Sequence, residues 1–278
     1  MNDIRQKLDP RAFDSVVSKL RYFFTKKGFK EVHTQSRLSI LAACEDPTTI
    51  QTFNYAGNIW PLPQTGQMWL EYELLNAPKT PGFFCLSTSY RYEQNPVPGR
   101  HDLIFPMFEF EMPTDMAGLQ EMELELLDFL GIAKANGVEI RSYDQWKDLY
   151  EVELLEANHE QMMYSTFGNA QMITHFPQYT SPFWNMKKVG EHAQKIDVII
   201  CGNETIGSAE RATDKEEMAH LFHNISDGMY ADILYNKFGK DRVEAELNDF
   251  LNHDFFPRSG GGIGMTRLVR AMTQLNLI

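Results

Sequence analysis

Three groups of residues in this 278-residue chain have types and spacings that could do chemistry. The first is Ser259-Gly260-Gly261-Gly262-Ile263-Gly264-Met265-Thr266-Arg267-Leu268. Glycines let a backbone approach a flat ligand or a phosphate closely. Arg267, just behind them, adds a permanent charge with a planar face. A nucleotide is the ligand this suggests, and a bare tight turn is the plain alternative. The second is residues 105–112, which alternate: Phe108, Phe110 and Met112 on one face, Met107, Glu109 and Glu111 on the other. Two acids on one strand face, beside a loop carrying Arg100 and His101, suggest a polar pocket; the alternative is a solvated strand face. The third is Asp197 and Glu204, seven residues apart. If a strand ends near Cys201 and the chain turns at Gly202-Asn203, both carboxylates face one pocket; otherwise they are two strand-end surface acids.

The elements that must position these groups can be read in outline. Asp9-Pro10 is a helix start, followed at helical spacing by Phe13, Val16, Val17, Leu20 and Phe24 and closed by Gly28. Strands are expected over residues 29–33, 83–89, 105–112, 173–186, 196–201 and 205–210. Helices are expected over 116–134, 144–158 and 214–250, the last broken near Asp227-Gly228 and Gly239, with a closing helix from about Met265. Helices and strands alternate without a regular βαβ period. This predicts an α+β fold with a mixed, mainly antiparallel sheet flanked by helices.

Composition narrows the function classes. Net charge is −12 and no block of lysine and arginine forms a basic stripe, which disfavours a dedicated nucleic-acid binder. Cys44, Cys85 and Cys201 are widely spaced and odd in number, against a disulfide framework and for a reducing compartment. No apolar run approaches the roughly 18 residues of a membrane span, and the polar N-terminus lacks a signal-peptide core. A cytoplasmic protein with one large domain over residues 1–278 is expected.

The motifs then become specific. A strand ending in Arg91-Tyr92-Glu93, a loop with Arg100-His101, a strand carrying Phe105 and Phe108-Glu109-Phe110-Glu111, and the late Gly262-Ile263-Gly264-Met265-Thr266-Arg267 resemble motifs 2 and 3 of class II aminoacyl-tRNA synthetases. The aspartyl and asparaginyl branch is the most similar, and the resemblance runs from about Gly28 to Leu268. It implies an ATP site in which Arg91 holds the α-phosphate and the amino-acid carboxylate, and Arg100 and His101 contact the outer phosphates. Phe105 and Arg267 would sandwich adenine, with Glu93 near its amino group. Asp197 and Glu204 would ligate Mg²⁺ on ATP, in keeping with that cation's preference for hard oxygen donors and phosphates. Arg91 and Arg267 are the implied catalytic pair.

Residues 64–71, Gln-Thr-Gly-Gln-Met-Trp-Leu-Glu, resemble the family loop that meets the amino acid. Gln67 and Glu109 would hold the α-amino group and Arg211 the side-chain carbonyl or carboxylate. Aspartyl enzymes have a lysine where this chain has Leu70; Leu70-Glu71 looks like the asparaginyl pattern, in which a glutamate accepts from the side-chain amide. An anionic side chain would be repelled by Glu71 and an amide would satisfy it, which puts asparagine ahead of aspartate.

Some positions depart from the pattern. Gln35 replaces the motif 1 proline, at the segment through which the resemblance implies a homodimer, and Ile104 replaces the glutamate before the stacking phenylalanine. Residues 206–210 depart from the family's small-residue run. Motif 1 begins almost at the N-terminus, so no anticodon-binding domain is expected, and the length resembles archaeal asparagine synthetase-related proteins. The expected function is ATP-dependent activation of asparagine or aspartate to an aminoacyl-adenylate, passed to ammonia, an amine or a protein. A tRNA ligase and a non-catalytic paralogue binding amino acid or nucleotide are the alternatives.

Overall fold

The computed structural model describes residues 8–35, 37–41, 47–96, 102–180 and 184–278. Helix α1 (Pro10–Lys26) starts where Asp9 accepts from the Arg11 amide and Pro10 fills the first turn. Its buried stripe is Val16, Val17, Leu20, Phe23 and Phe24. There follow β1 (Lys30–Glu31), β2 (Thr52–Tyr55), β3 (Asn58–Pro61), α2 (Gln67–Asn76), β4 (Phe83–Tyr90), β5 (Ile104–Met112) and α3 (Met116–Leu130). Next come β6 (Glu139–Ser142), α4 (Tyr143–Tyr150), α5 (Ala157–Phe167), β7 (Ala170–Pro177), β8 (Lys188–Val189), β9 (His192–Ile200) and β10 (Asn203–Glu210). The chain closes with α6 (Lys215–Asn224), α7 (Met229–Phe238), α8 (Lys240–Leu251), β11 (Ser259–Gly264) and α9 (Met265–Gln274).

The large sheet runs β1-β4-β5-β11-β10-β9-β7-β6, with β8 added on β9. Only the two ends, β1 on β4 and β6 on β7, pair parallel; the remaining pairs are antiparallel. The α+β expectation holds. One face is buried under α1, α3 and α9, whose apolar stripes meet Phe108, Phe110, Val198, Ile206 and Ile263. On the other face α2 packs Leu70 and Leu74 against Phe83 and Cys85 at one end. At the far end α4 and α5 cover Ile173 and Ile199 with Trp146 and Met163. Helices α6 to α8 enclose a second core around Trp184, Phe222 and Phe250. Between these covers the middle of the sheet is left open.

Several local expectations are corrected. The glycine cluster is not a tight turn: Ser259–Gly264 is a strand in the centre of the sheet, paired on both sides. Backbone ladders on two flanks hold it extended despite its weak strand propensity. The strand expected over 173–186 is β7, which ends at Pro177, where the chain enters a 3-10 turn. The helix expected over 144–158 is two helices. Helix α4 stops at Glu151, which turns left-handed (φ 54°), and α5 begins after Glu156, whose amide donates to His159 Nδ1 (2.8 Å). Helix α3 ends at Leu130 instead of Lys134, at the left-handed Gly131 (φ 78°).

Candidate active site

The register of the sheet explains how residues far apart in sequence come to share one floor. Glu109 pairs with Gly262, Gly262 with Gly207, and Gly207 with Asp197. These four residues form one row across β5, β11, β10 and β9 on the open face. At about 4.8 Å per strand, two acids stand roughly 14 Å apart with two glycines between them. The next row is Glu111, Gly260, Ala209 and Lys195. The absence of side chains along the middle makes a trough. A Cβ on Gly262 would come within 2.5 Å of Met107 Cε, and one on Gly260 would overlap Glu111 Oε2 at 1.8 Å.

The trough is a cavity of about 380 Å³, in the range of small-molecule sites. Of the residues singled out in the sequence, Gln67, Arg91, Glu93, Phe105, Glu109, Asp197, Glu204, Arg211 and Arg267 all line it. Arg100 and His101 lie outside the described residues. Along β5 the site face presents Phe105, Met107, Glu109 and Glu111 in turn. Six residues of strand, about 20 Å, separate an outer end at Phe105 from an inner end at Glu111.

The outer end is basic and aromatic. Arg91 follows β4 directly, and its amide donates to the Leu103 carbonyl (2.9 Å), fixing the chain across from β5. Its guanidinium carbon lies 5.6 Å from the centroid of the Phe105 ring. Its Nε is buried with no hydrogen-bond partner, an arrangement that an anion would complete. Arg267 sits in the first turn of α9, right after the glycine strand. Its Nη1 donates to the Glu204 carbonyl and lies 3.9 Å from Glu204 Oε2.

The two metal candidates converge by an expected device and an unexpected one. The β9–β10 connection is a two-residue turn at Cys201 (φ 48°) and Gly202 (φ 75°), closed by the Ile200–Asn203 pair. Positive φ at both central residues is the turn geometry that matches the strand twist of a hairpin. The register then slips between Glu204 and Ile206. This β-bulge at Thr205 shifts strand parity by one, so Glu204 shares the face of Asp197 and Gly207, not that of Ile206. A Cβ on Gly207 would stand 3.3 Å from Glu204 Oε1 and 3.6 Å from Asp197 Oδ1, so both carboxylates flank the same spot.

Asp197 Oδ2 is held by Lys195 Nζ, whereas Oδ1 is buried without a partner. Burial pushes the Asp197 carboxyl up to about 7; Lys195 opposes this and Glu204 adds to it. An orphaned carboxylate oxygen beside a second carboxylate fits a hard divalent cation. Among the described residues no group of three or more His, Cys, Asp or Glu side chains could hold a metal ion. These two acids could supply two of a divalent cation's oxygen ligands, with the others coming from outside the described His, Cys, Asp and Glu side chains.

The inner end is a closed polar network. Gln67 is fully buried; its Nε2 donates to the Gly261 carbonyl (2.8 Å) and its Oε1 accepts from Arg211 Nη2 (2.7 Å). Arg211 also grips Glu111 through Nε (3.2 Å) and Nη2 (3.0 Å). Burial raises the Glu111 carboxyl to about 7, with Arg211 pulling it down and Glu71 pushing it up. Glu109 accepts from the Gly66 amide (2.8 Å), from Thr65 Oγ1 and from Ser87 Oγ (2.5 Å). It thereby anchors the start of α2; burial raises its pKa, against the pull of those donors and of Arg91.

Glu71 is placed differently from the sequence expectation. It is completely buried and is not among the lining residues. Its Oε1 accepts from Asn185 Nδ2 (2.9 Å), and its Oε2 from Arg258 Nε (3.1 Å) and Nη2 (2.7 Å). Helix α2 points this residue toward the segment leading into β11, behind Arg211, whose Nε lies 3.7 Å from Glu71 Oε1. Arg258 was not singled out in the sequence. It precedes the glycine run directly, but its partner is 187 residues upstream, and no local pattern reports that pairing. Lys195 was missed for a simpler reason: it stands two residues before Asp197 on the same strand face, which period-2 reading could have caught.

Comparison with known proteins agrees with the geometry. The chain matches the family model for tRNA synthetases class II (D, K and N) over residues 2–278. Over 133 residues it is 28% identical to the aspartate–tRNA(Asp) ligase of Pyrobaculum aerophilum, a stretch covering 47% of this chain and 27% of that one. Its fold is similar to that of asparaginyl-tRNA synthetase from Pyrococcus horikoshii complexed with asparaginyl-adenylate (TM-score 0.78, 19% identity, 96% of this chain and 65% of that one). It is also similar to the Entamoeba histolytica asparaginyl-tRNA synthetase in complex with asparaginyl-adenylate (TM-score 0.72, 17% identity, 95% and 63%). The chain thus spans less than two thirds of each of these relatives. With a family match along its whole described length and the sheet, trough and paired arginines in place, the chain belongs to the class II tRNA synthetases of the D, K and N type.

Proposed function

We propose that this protein is an ATP-dependent ligase that activates a small polar amino acid, asparagine or aspartate, as its aminoacyl-adenylate. The observation that carries this reading is the pair of unmet buried atoms of opposite character in one trough, Arg91 Nε and Asp197 Oδ1. A phosphate answers the first and a cation the second. In the reaction an oxygen of the amino-acid carboxylate bonds to the α-phosphorus of ATP, the bond from that phosphorus to the bridging oxygen breaks, and pyrophosphate leaves. Arg91 neutralises charge that grows on the α-phosphoryl oxygens. Arg267 and Phe105 hold the adenine end, and Gln67, Glu109 and Arg211 orient the amino acid, so both reactants lie along one strand face. Mg²⁺ at Asp197 and Glu204 would supply charge neutralisation on the departing phosphates. Arg100 and His101 belong to the same proposal on the resemblance alone.

The test is amino-acid-dependent ATP–pyrophosphate exchange across the twenty amino acids, with Mg²⁺ and with chelator. Exchange with asparagine or aspartate, lost on chelation and in Arg267→Ala, is expected; no exchange with any amino acid sinks the reading. For the acceptor, the net charge of −12 supports ammonia, an amine or a protein side chain. Similarity to the Pyrobaculum ligase supports tRNA. Transfer assays with each acceptor separate them. A homodimer is proposed from the family resemblance, and light scattering in solution checks it. No described helix is long and apolar enough to cross a membrane.

A further inference from the structure

The far wall of the trough already holds a cation. Lys195 lines the cavity beside Asp197 and sets its ammonium on Asp197 Oδ2, with 13% of the lysine side chain exposed. Two features of β9 and β7 put it there. Lys195 and Asp197 are two residues apart on β9, so both project from the open face. On β7 the register slips between Thr174 and Phe176, where His175 turns left-handed (φ 54°). This β-bulge gives Phe176, not His175, the face of Ala193 and Lys195. The ammonium lies 3.8 Å from the centroid of the Phe176 ring, within reach of a cation–π contact.

The lysine is held but not saturated. An ammonium has three donor hydrogens, and among the described residues Nζ has one hydrogen bond, to Asp197 Oδ2. The unused donors belong to a group that lines the cavity. Asp197 has one oxygen taken and the other, Oδ1, without a partner. A divalent ion on Oδ1 would share its carboxylate with Lys195. It would stand close to a like charge in a largely buried setting, where such repulsion is strong. Glu204 would favour the ion, yet Arg267 Nη1 lies 3.9 Å from its Oε2. The acids are thus partly neutralised from within. Phosphate oxygens change this balance, because they accept the spare hydrogens of Lys195 and draw its charge from Asp197.

We propose that Lys195 is a positioning residue acting through Asp197: a built-in counter-ion that keeps Asp197 and Glu204 from holding a divalent cation until a polyphosphate enters with it. This rests on the reading of those two acids as the cation pair of an adenylating site. Cation and nucleotide then bind weakly alone and tightly together, and each raises the affinity of the other by the same factor.

The experiment titrates Mn²⁺ into the nucleotide-free protein, with free ion read by electron paramagnetic resonance, and α,β-methylene ATP into the metal-free protein by calorimetry. Lys195→Met keeps an apolar stem on Phe176 and removes the charge. It is expected to bind Mn²⁺ about 10-fold more tightly than wild type, or better, and the nucleotide analogue about 10-fold less tightly. A lysine with a merely structural role would not move the two affinities in opposite directions. Lys195→Arg restores the charge and returns both affinities toward wild type, and Lys195→Gln is the second uncharged variant should Lys195→Met fail to fold. Adding Asp197→Asn to Lys195→Met removes the gain in Mn²⁺ binding. An unchanged Mn²⁺ affinity in the folded uncharged variants, or a gain that survives Asp197→Asn, overturns the proposal. Amino-acid-dependent exchange in the wild type with an unmoved Mn²⁺ titration removes this proposal and leaves the adenylation reading. Opposite shifts in a protein silent for exchange with every amino acid remove adenylation and leave the counter-ion standing.

Discussion

Arg91 at the outer end of the trough and Asp197 on its far wall each hold a buried polar atom with no protein partner, whereas at the inner end Gln67, Arg211, Glu111, Glu71 and Arg258 are bonded or ion-paired in one cluster. The first two groups are open to charge from a ligand: a phosphate would answer Arg91 Nε and a cation Asp197 Oδ1. The inner end is largely bonded within itself, with Asn185 Oδ1 left as a buried unpaired acceptor. Under the proposed function the bonded cluster would meet the amino acid and the unmet charges would meet ATP.

Breaking the closed end should damage the fold itself. Arg211→Ala leaves Glu111 buried without its guanidinium, and losing one partner of a buried pair costs about 3–5 kcal/mol. Denaturant unfolding should show a loss of that size; a loss under about 1 kcal/mol, the scale of an exposed pair, would mean the network is not closed as described. Breaking the open end should spare the fold and remove chemistry. Arg91→Ala is expected to lower exchange by about 10²–10³-fold, the effect of deleting one charge-stabilising donor, with the unfolding midpoint unmoved. An equal loss of stability would erase the contrast between the two ends.

A smaller effect sharpens the comparison from beneath the floor. Glu123, on α3, is completely buried with neither carboxylate oxygen hydrogen-bonded. The neighbouring Ser208 hydroxyl is spent on the Ile196 carbonyl (3.3 Å). Burial pushes the Glu123 carboxyl up to about 8, with Ser208 lowering it and Asp197 raising it. The folded chain therefore keeps a proton that the unfolded chain releases above its ordinary pKa of 4.5. Stability from this group is fully present below that value and is lost as pH rises toward 8. Glu123→Gln should abolish that slope and stabilise the protein at pH 8 by on the order of 1–3 kcal/mol. Thermal unfolding of both proteins from pH 5 to 8 checks it, and parallel curves would refute it.

Much of the site was legible because its parts are local. Alternation over residues 105–112 put Glu109 and Glu111 on one face, and the spacing from Asp197 to Glu204 across Gly202 announced a hairpin with two acids. The strand expected over 173–186 ran too far because apolar composition continues past Pro177 while the backbone does not. The glycine run gives no strand signal for the reason that makes it useful. Glycine has no intrinsic preference for a strand, and only two neighbours bonded along both edges make it one.

Residue types and short spacings by themselves determined the α+β class, the buried face of α1, the paired acids and the arginines Arg91 and Arg267 at strand and helix ends. Tertiary structure alone decided which of these share a floor, since the row Glu109-Gly262-Gly207-Asp197 is a product of register across four strands. It also decided that Glu71 belongs to Arg258 instead of to the cavity. The physical reason is range: periodicity and turn chemistry act over a few residues, whereas a buried charge is satisfied by whatever the packed fold brings to it, here from 187 positions away.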